Sequence, residues 1–167
     1  MTKILVTGGT GLIGFHLLRA LQGATPKVRV LHRATSNLSI LDGLEYEPVC
    51  GSLDDTESLQ RAVEGCSQVY HMAAHVSMSR ADEALMQHIN VEGTRTLAQA
   101  AAQAGVQRFV NVSSIAAMGT SYDEPARETQ AYNHPPGRPY NESKHASECA
   151  AHTFEDVMDV LSVRSSL

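Results

Sequence analysis

A chain of 167 residues, 43% hydrophobic and 19% charged, has the make-up of one globular domain large enough to bury a core. Its net charge of −5, without a basic cluster, argues against a nucleic-acid partner, and no apolar run approaches the ~20 residues that cross a bilayer. Cys50, Cys66 and Cys149 are widely spaced with no metal-type pairing, and no signal pattern precedes the first strand-like run, so a reducing, cytoplasmic location is expected.

Short apolar runs alternate with longer amphipathic segments along the chain. Strands are expected at Ile4–Thr7, Val28–His32, Tyr46–Val49, Gln68–His71, Phe109–Ser113 and Leu161–Arg164. Helices are expected near Leu12–Leu21, Thr56–Val63, Ala81–Ala104 and Pro139–Phe154. Such alternation specifies βαβ units and hence an α/β fold with a parallel sheet. "KILVT" and "RFVNV" are continuous apolar runs of the kind that buried parallel strands carry. The irregular stretch Gly119–Arg138 is too long to be a mere connection and is expected to be functional or mobile.

The first strand and first helix bracket Gly8-x-x-Gly11-x-x-Gly14 in "ILVTGGTGLIG". Glycine permits the positive φ of a tight turn and close approach of backbone to a pyrophosphate. The N–H groups opening the following helix suit phosphate. A dinucleotide site is therefore expected on Gly8, Thr10, Gly11, Leu12, Ile13 and Gly14. Further on, "VRVLHRATSN" has Arg33 and no carboxylate where an acid would bind the ribose 2′-hydroxyl of NAD. A guanidinium there fits a 2′-phosphate, so NADP(H) is favoured over NAD(H).

"YNESK" spaces Tyr140 and Lys144 four apart, which puts both on one helix face. An ammonium beside a phenol favours the phenolate and draws its pKa toward working pH, as acid/base chemistry requires. His16, His75, His88, His134, His145 and His152 show no ligand spacing with cysteine or carboxylate, so no metal site is expected.

"TGGTGLIG" resembles the TGxxGxxG fingerprint of the extended short-chain dehydrogenase/reductase family, in the branch of dihydroflavonol-4-reductase-like and nucleotide-sugar epimerase/dehydratase proteins. The resemblance implies a Rossmann-type doubly wound parallel sheet, about six strands with helices on both faces, spanning residues 1–167. It makes Ser114 the group that hydrogen-bonds a substrate oxygen and Tyr140 the one that exchanges a proton with it. It further implies that Lys144 binds the nicotinamide ribose and that Asn90 of "NVEGT" supports the site. In "GSLDD" the family usually has an aspartate that bonds the adenine; Ser52 occupies that place, followed by Leu53. "HMAA" resembles the segment whose small residues, Ala73 and Ala74, let the diphosphate-ribose pass; His71 either touches the cofactor or is satisfied within the core.

The implied activity is hydride transfer at a carbinol or carbonyl carbon of a small carbonyl, alcohol or nucleotide-sugar substrate. A non-catalytic dinucleotide-binding or redox-sensing module on the same fold is the alternative. A homodimer through the helices of Asn90 and Tyr140 is expected. Finally, "VLSVRSSL" reads as a buried strand running into a turn and resembles the family's sixth strand, beyond which family members add a substrate-binding lobe. The 167 residues are thus expected to lack that lobe, to bind cofactor weakly and to turn over poorly.

Overall fold

Alternate residues of a strand face opposite sides of a sheet, and the first strand shows this directly. In β1 (Lys3–Thr7), Leu5 is buried in one apolar cluster while Ile4 and Val6 are buried in another. The computed structural model describes residues 3–23, 27–120 and 124–166. Its remaining strands are β2 (Lys27–His32), β3 (Glu47–Cys50), β4 (Cys66–His71), β5 (Arg108–Ser114) and β6 (Asp159–Ser165). Every pairing is parallel, in the order β3-β2-β1-β4-β5-β6. That is the doubly wound arrangement, and the order reverses between β1 and β4, where a crevice opens beyond the strands' C-terminal ends.

The helices are α1 (Leu12–Ala20), α2 (Thr56–Val63), α3 (Glu83–Met86), α4 (Gly93–Gln103) and α5 (Pro139–His152). One core joins α2, α4 and α5 to the sheet through Leu59, Leu97, Phe109 and Ala151. The other, around Leu18, Val30 and Leu41, sets α1 and a 3-10 turn at Leu38–Leu41 against the opposite face. α2 begins where the sequence expects because Asp55 caps it, its carboxylate accepting from the Ser58 N–H at 3.1 Å. α5 begins at Pro139, and the Glu142 carboxylate accepts from the Gly137 N–H at 2.8 Å.

The single helix expected over Ala81–Ala104 is instead interrupted. A 3-10 turn at Arg80–Asp82 precedes α3, and a π-helical turn at Gln87–Glu92 separates α3 from α4. The wider π turn goes with the buried Asn90, whose side chain leaves the helix to hold other segments. β6 is the strand whose composition reads as buried and which the sequence also places at an unpaired sheet edge. It is an edge strand, and Leu161 and Val163 are 43% and 52% exposed on one face. The irregular stretch from Gly119, three of whose residues lie outside the described part, folds back on itself. Asn133 accepts from the Thr120 N–H at 2.7 Å and donates to the Thr120 carbonyl at 2.9 Å.

Candidate functional site

β1 ends at Thr7 and the chain turns through Gly8 at φ +71°. A Cβ on Gly8 would stand 2.6 Å from the Ala73 nitrogen, and one on Gly14 would collide with the Gly8 carbonyl oxygen. These two glycines are required by the protein's own packing. Gly11 is different: its φ is −84°, and a Cβ there would meet only the Gly8 oxygen, at 3.3 Å. Among the described residues nothing demands glycine at 11, so the open backbone leaves room for a ligand.

That room is a cleft of about 380 Å³ at the switch point. It is lined by Gly8, Thr10 and Gly11 of the glycine turn, by Arg33, Ser52 and Leu53, and by Ala73 and Ala74. Eight of the residues expected from sequence thus share one cleft. Tyr140 and Lys144 of α5 lie outside its lining, as do Leu12, Ile13 and Gly14 in the first turn of α1, with Leu12 67% exposed. Arg33 is exposed at the rim and its guanidinium forms no ion pair among the described residues, which leaves it available to an anion. Leu53 is set firmly because α4 opens with Gly93, where a Cβ would come within 2.9 Å of the Leu53 Cβ. The donor set, open glycine backbone plus a free guanidinium, fits a dinucleotide phosphate.

Sequence reasoning missed several polar members of this cleft, Thr7, His32, Ser36, Asp54 and His75. Ser36 lines it and accepts from the Arg33 N–H at 3.1 Å. Asp54 lines it too and pairs with His88 at 2.8 Å. The signal for Asp54 was the acidic doublet of "GSLDD". Ser52, preferred by its motif position, instead turns its hydroxyl to the Asp54 N–H at 3.3 Å.

The second cluster stands at the C-terminal end of β5. Ser114 is its last residue, 7% exposed, with Oγ accepting from the Ala116 N–H at 3.1 Å. α5 packs on β5 and on the 3-10 turn that follows it, Ile115–Ala117. Tyr140, half-buried, lies in the first turn of α5 and Lys144 one turn later. Lys144 is 4% exposed and donates from Nζ to the Val112 carbonyl at 2.9 Å. Burial draws its pKa down to about 8, against an opposing pull from Glu148.

Asn90 joins these parts by position. Its Oδ1 accepts from the His75 N–H at 2.7 Å, and its Nδ2 donates to the His75 carbonyl at 2.9 Å and to Ser143 Oγ at 3.1 Å. Ser143 in turn donates to the Tyr140 carbonyl at 2.9 Å. The loop after β4 and the first turn of α5 are therefore held by one side chain. His71 is the core histidine of the two possibilities: it is 2% exposed and bonded at both ring nitrogens. No group of three or more histidine, cysteine or acidic residues suited to a metal occurs among the described residues.

Comparison with known proteins gives the same family. The NAD dependent epimerase/dehydratase family matches residues 4–166. Sterol demethylase protein B of Methylococcus capsulatus is 41% identical over 145 residues, covering 86% of this chain and 44% of that protein. A short-chain dehydrogenase/reductase superfamily protein of Agrobacterium tumefaciens, solved with NAD bound, superposes with a TM-score of 0.83 at 34% identity, over 97% of this chain and 48% of that one. The dTDP-glucose 4,6-dehydratase of Streptomyces venezuelae, also with NAD, gives a TM-score of 0.84 at 32% identity, over 98% of this chain and 55% of its own. The chain thus spans about half the length of the curated relatives it matches. With its sheet order, its glycine turn and this match along nearly the whole sequence, the chain belongs to the NAD-dependent epimerase/dehydratase family.

Proposed function

We propose that this chain binds NADP(H) in preference to NAD(H) and serves reversible oxidation and reduction at a carbinol or carbonyl carbon. The observation that carries the reading is the cleft between the glycine turn and Ala73–Ala74, tied through Asn90 to the helix of Tyr140 and Lys144. Gly8, Thr10, Gly11 and the Ala73–Ala74 backbone hold the diphosphate, and Arg33 pairs with the 2′-phosphate. Ser52, Leu53 and Asp54 border the adenosine end. The bound cofactor supplies the hydride exchange.

The chain's own residues manage the oxygen and its proton. Ser114 donates a hydrogen bond to the substrate oxygen, and Tyr140 gives it a proton on reduction or takes one on oxidation. Lys144, held by the Val112 carbonyl, sets the field around the phenol and reaches the nicotinamide ribose. The substrate is a small carbonyl compound, alcohol or nucleotide sugar. The protein acts in the cytoplasm as a homodimer through α4 and α5, and light scattering that finds only monomer at high concentration counts against the dimer.

Calorimetric titration with NADPH and with NAD+ tests the cofactor reading. Tighter NADPH binding that falls by roughly 10–100-fold in Arg33→Ala, with NAD+ unaffected, is expected for a lost charge-assisted contact. Equal affinities in the wild type overturn it. The alternative reading is a non-catalytic dinucleotide-binding or redox-sensing module on the same fold, since one fold serves many functions. Hydride exchange from labelled NADPH into a panel of carbonyl compounds separates the two.

A further inference from the structure

A continuous line of buried hydrogen bonds crosses the molecule from the glycine turn to α5, and its polarity is fixed at both ends. At one end the Ala73 N–H donates to Thr7 Oγ1 at 3.3 Å. At the other, Thr94 Oγ1 lies 2.6 Å from the Asn90 carbonyl, which can only accept. Between them, Thr7 Oγ1 is 2.7 Å from His71 Nδ1, and His71 Nε2 is 2.9 Å from Thr94 Oγ1. Ser147 Oγ also lies 3.1 Å from Thr94 Oγ1. Thr7, His71, Thr94, Asn90 and Ser147 are each at most 2% exposed, so water does not complete the set.

A hydroxyl has one proton to give. That of Thr94 goes to the Asn90 carbonyl, so His71 must donate to Thr94 from Nε2, and Ser147 donates to Thr94 as well. His71 Nδ1 is then an acceptor, and it takes the Thr7 hydroxyl proton. Thr7 in turn accepts from Ala73. Every donor has one acceptor only if His71 is the neutral Nε2–H tautomer. A second proton, on Nδ1, would face Thr7 Oγ1 and leave the Thr7 hydroxyl proton without a partner. The charged group that bears on His71 is Lys144, which adds to burial in opposing the imidazolium.

We propose that His71, as the neutral Nε2–H tautomer, is a positioning residue that locks the floor of the dinucleotide cleft to the helix of Tyr140 and Lys144. On the cleft side it acts through Thr7 on Ala73, whose nitrogen is the atom Gly8 packs against. On the other side it acts through Thr94, which is bonded to Ser147 of α5 and to the carbonyl of Asn90. A one-residue change in the middle of this line therefore moves two walls that lie on different elements. The inference deepens the dinucleotide reading above and rests on it only for its binding arm.

Two measurements on the full chain test it. Long-range nitrogen–proton NMR of labelled protein reads the tautomer directly; protonation at Nε2 alone, without titration between about pH 5 and 8, is expected. A proton on Nδ1, or titration near the ordinary histidine value, overturns the proposal. Thr94→Val and Thr94→Ser then test positioning. Thr94→Val is expected to speed exchange of the Ala73 amide and to weaken NADPH binding at least tenfold, with Thr94→Ser restoring both. Unchanged Ala73 exchange in Thr94→Val overturns the positioning role. A wild type that binds neither NADPH nor NAD+ removes the cofactor reading, while tautomer and Ala73 exchange still decide the proposal.

Discussion

Lys144 donates to the Val112 carbonyl at 2.9 Å from a side chain only 4% exposed, so an ammonium is kept inside the protein beside strand β5. Burial lowers its pKa from 10.5 to about 8. The folded state therefore loses the proton first, and the unfolded chain binds more protons between those values. Stability should rise with pH from about 8 to 10.5, by on the order of 3 kcal/mol against a variant that cannot titrate there. Urea unfolding of the wild type and Lys144→Met across that range measures it; parallel curves for the two proteins refute the assignment.

Gly8 and Gly11 should respond oppositely to the same substitution. Gly8→Ala forces φ +71° on a residue with a Cβ and drives that atom to 2.6 Å from the Ala73 nitrogen. A loss of about 2 kcal/mol or more is expected. Gly11→Ala meets only the Gly8 oxygen at 3.3 Å, so its stability should change by less than about 1 kcal/mol while dinucleotide binding is lost. Thermal melts paired with NADPH titrations of both variants decide between them.

Arg29 is 6% exposed on β2 and holds the end of α2. Its Nη1 donates to the carbonyls of Arg61, Ala62 and Glu64 at 3.0, 2.7 and 2.9 Å, and its Nε and Nη2 pair with Glu47. Arg29→Met removes the guanidinium from those carbonyls at the C-terminus of the helix, where their dipoles also favour a cation, and leaves the Ala62 carbonyl with the weak bond from the Cys66 thiol at 3.4 Å. A destabilisation of about 3 kcal/mol is expected. A urea midpoint equal to that of the wild type would show that the carbonyls find other partners.

His71 gives the chain an acid-sensitive component. Burial, with a smaller contribution from Lys144, draws its pKa from 6.5 to about 3. The unfolded chain takes up this proton below 6.5 while the folded one refuses it. The contribution is therefore whole above 6.5 and is lost as pH falls toward 3. Relative to the wild type, His71→Gln should show a flatter fall of stability with acid over that window, measured as the difference in denaturant midpoints. Identical slopes would mean that His71 titrates normally.

Periodicity located the strands and helices because their residues state their environment. Leu5, Val6 and Val30 are apolar in continuous runs, and the observed elements lie at or within two residues of most expected bounds. The glycine turn was legible for the same kind of reason, since φ +71° at Gly8 is a local property that selects its residue. The break at Asn90 was not legible. A π turn there depends on partners 15 and 53 residues away, His75 and Ser143, and no local pattern records them.

Taken alone, the sequence determined the alternation of strand and helix, the glycine turn and the spacing of Tyr140 and Lys144, because each is set by near neighbours. The tertiary structure decided what each polar residue does. Arg29 and Arg33 stand four apart on and just after one strand, yet one is buried against the carbonyls of α2 and the other is exposed at the cleft. Leu161 and Val163 are apolar like core residues, yet on the edge strand β6 they stand exposed on one face. Thr7, His71 and Thr94 are unremarkable in sequence, and they form one directed line because parallel pairing sets Thr7 beside His71 and packing of α4 brings Thr94 to the ring's other side. Hydrogen-bond partners far apart in the chain are chosen by topology, and burial then makes each choice obligatory.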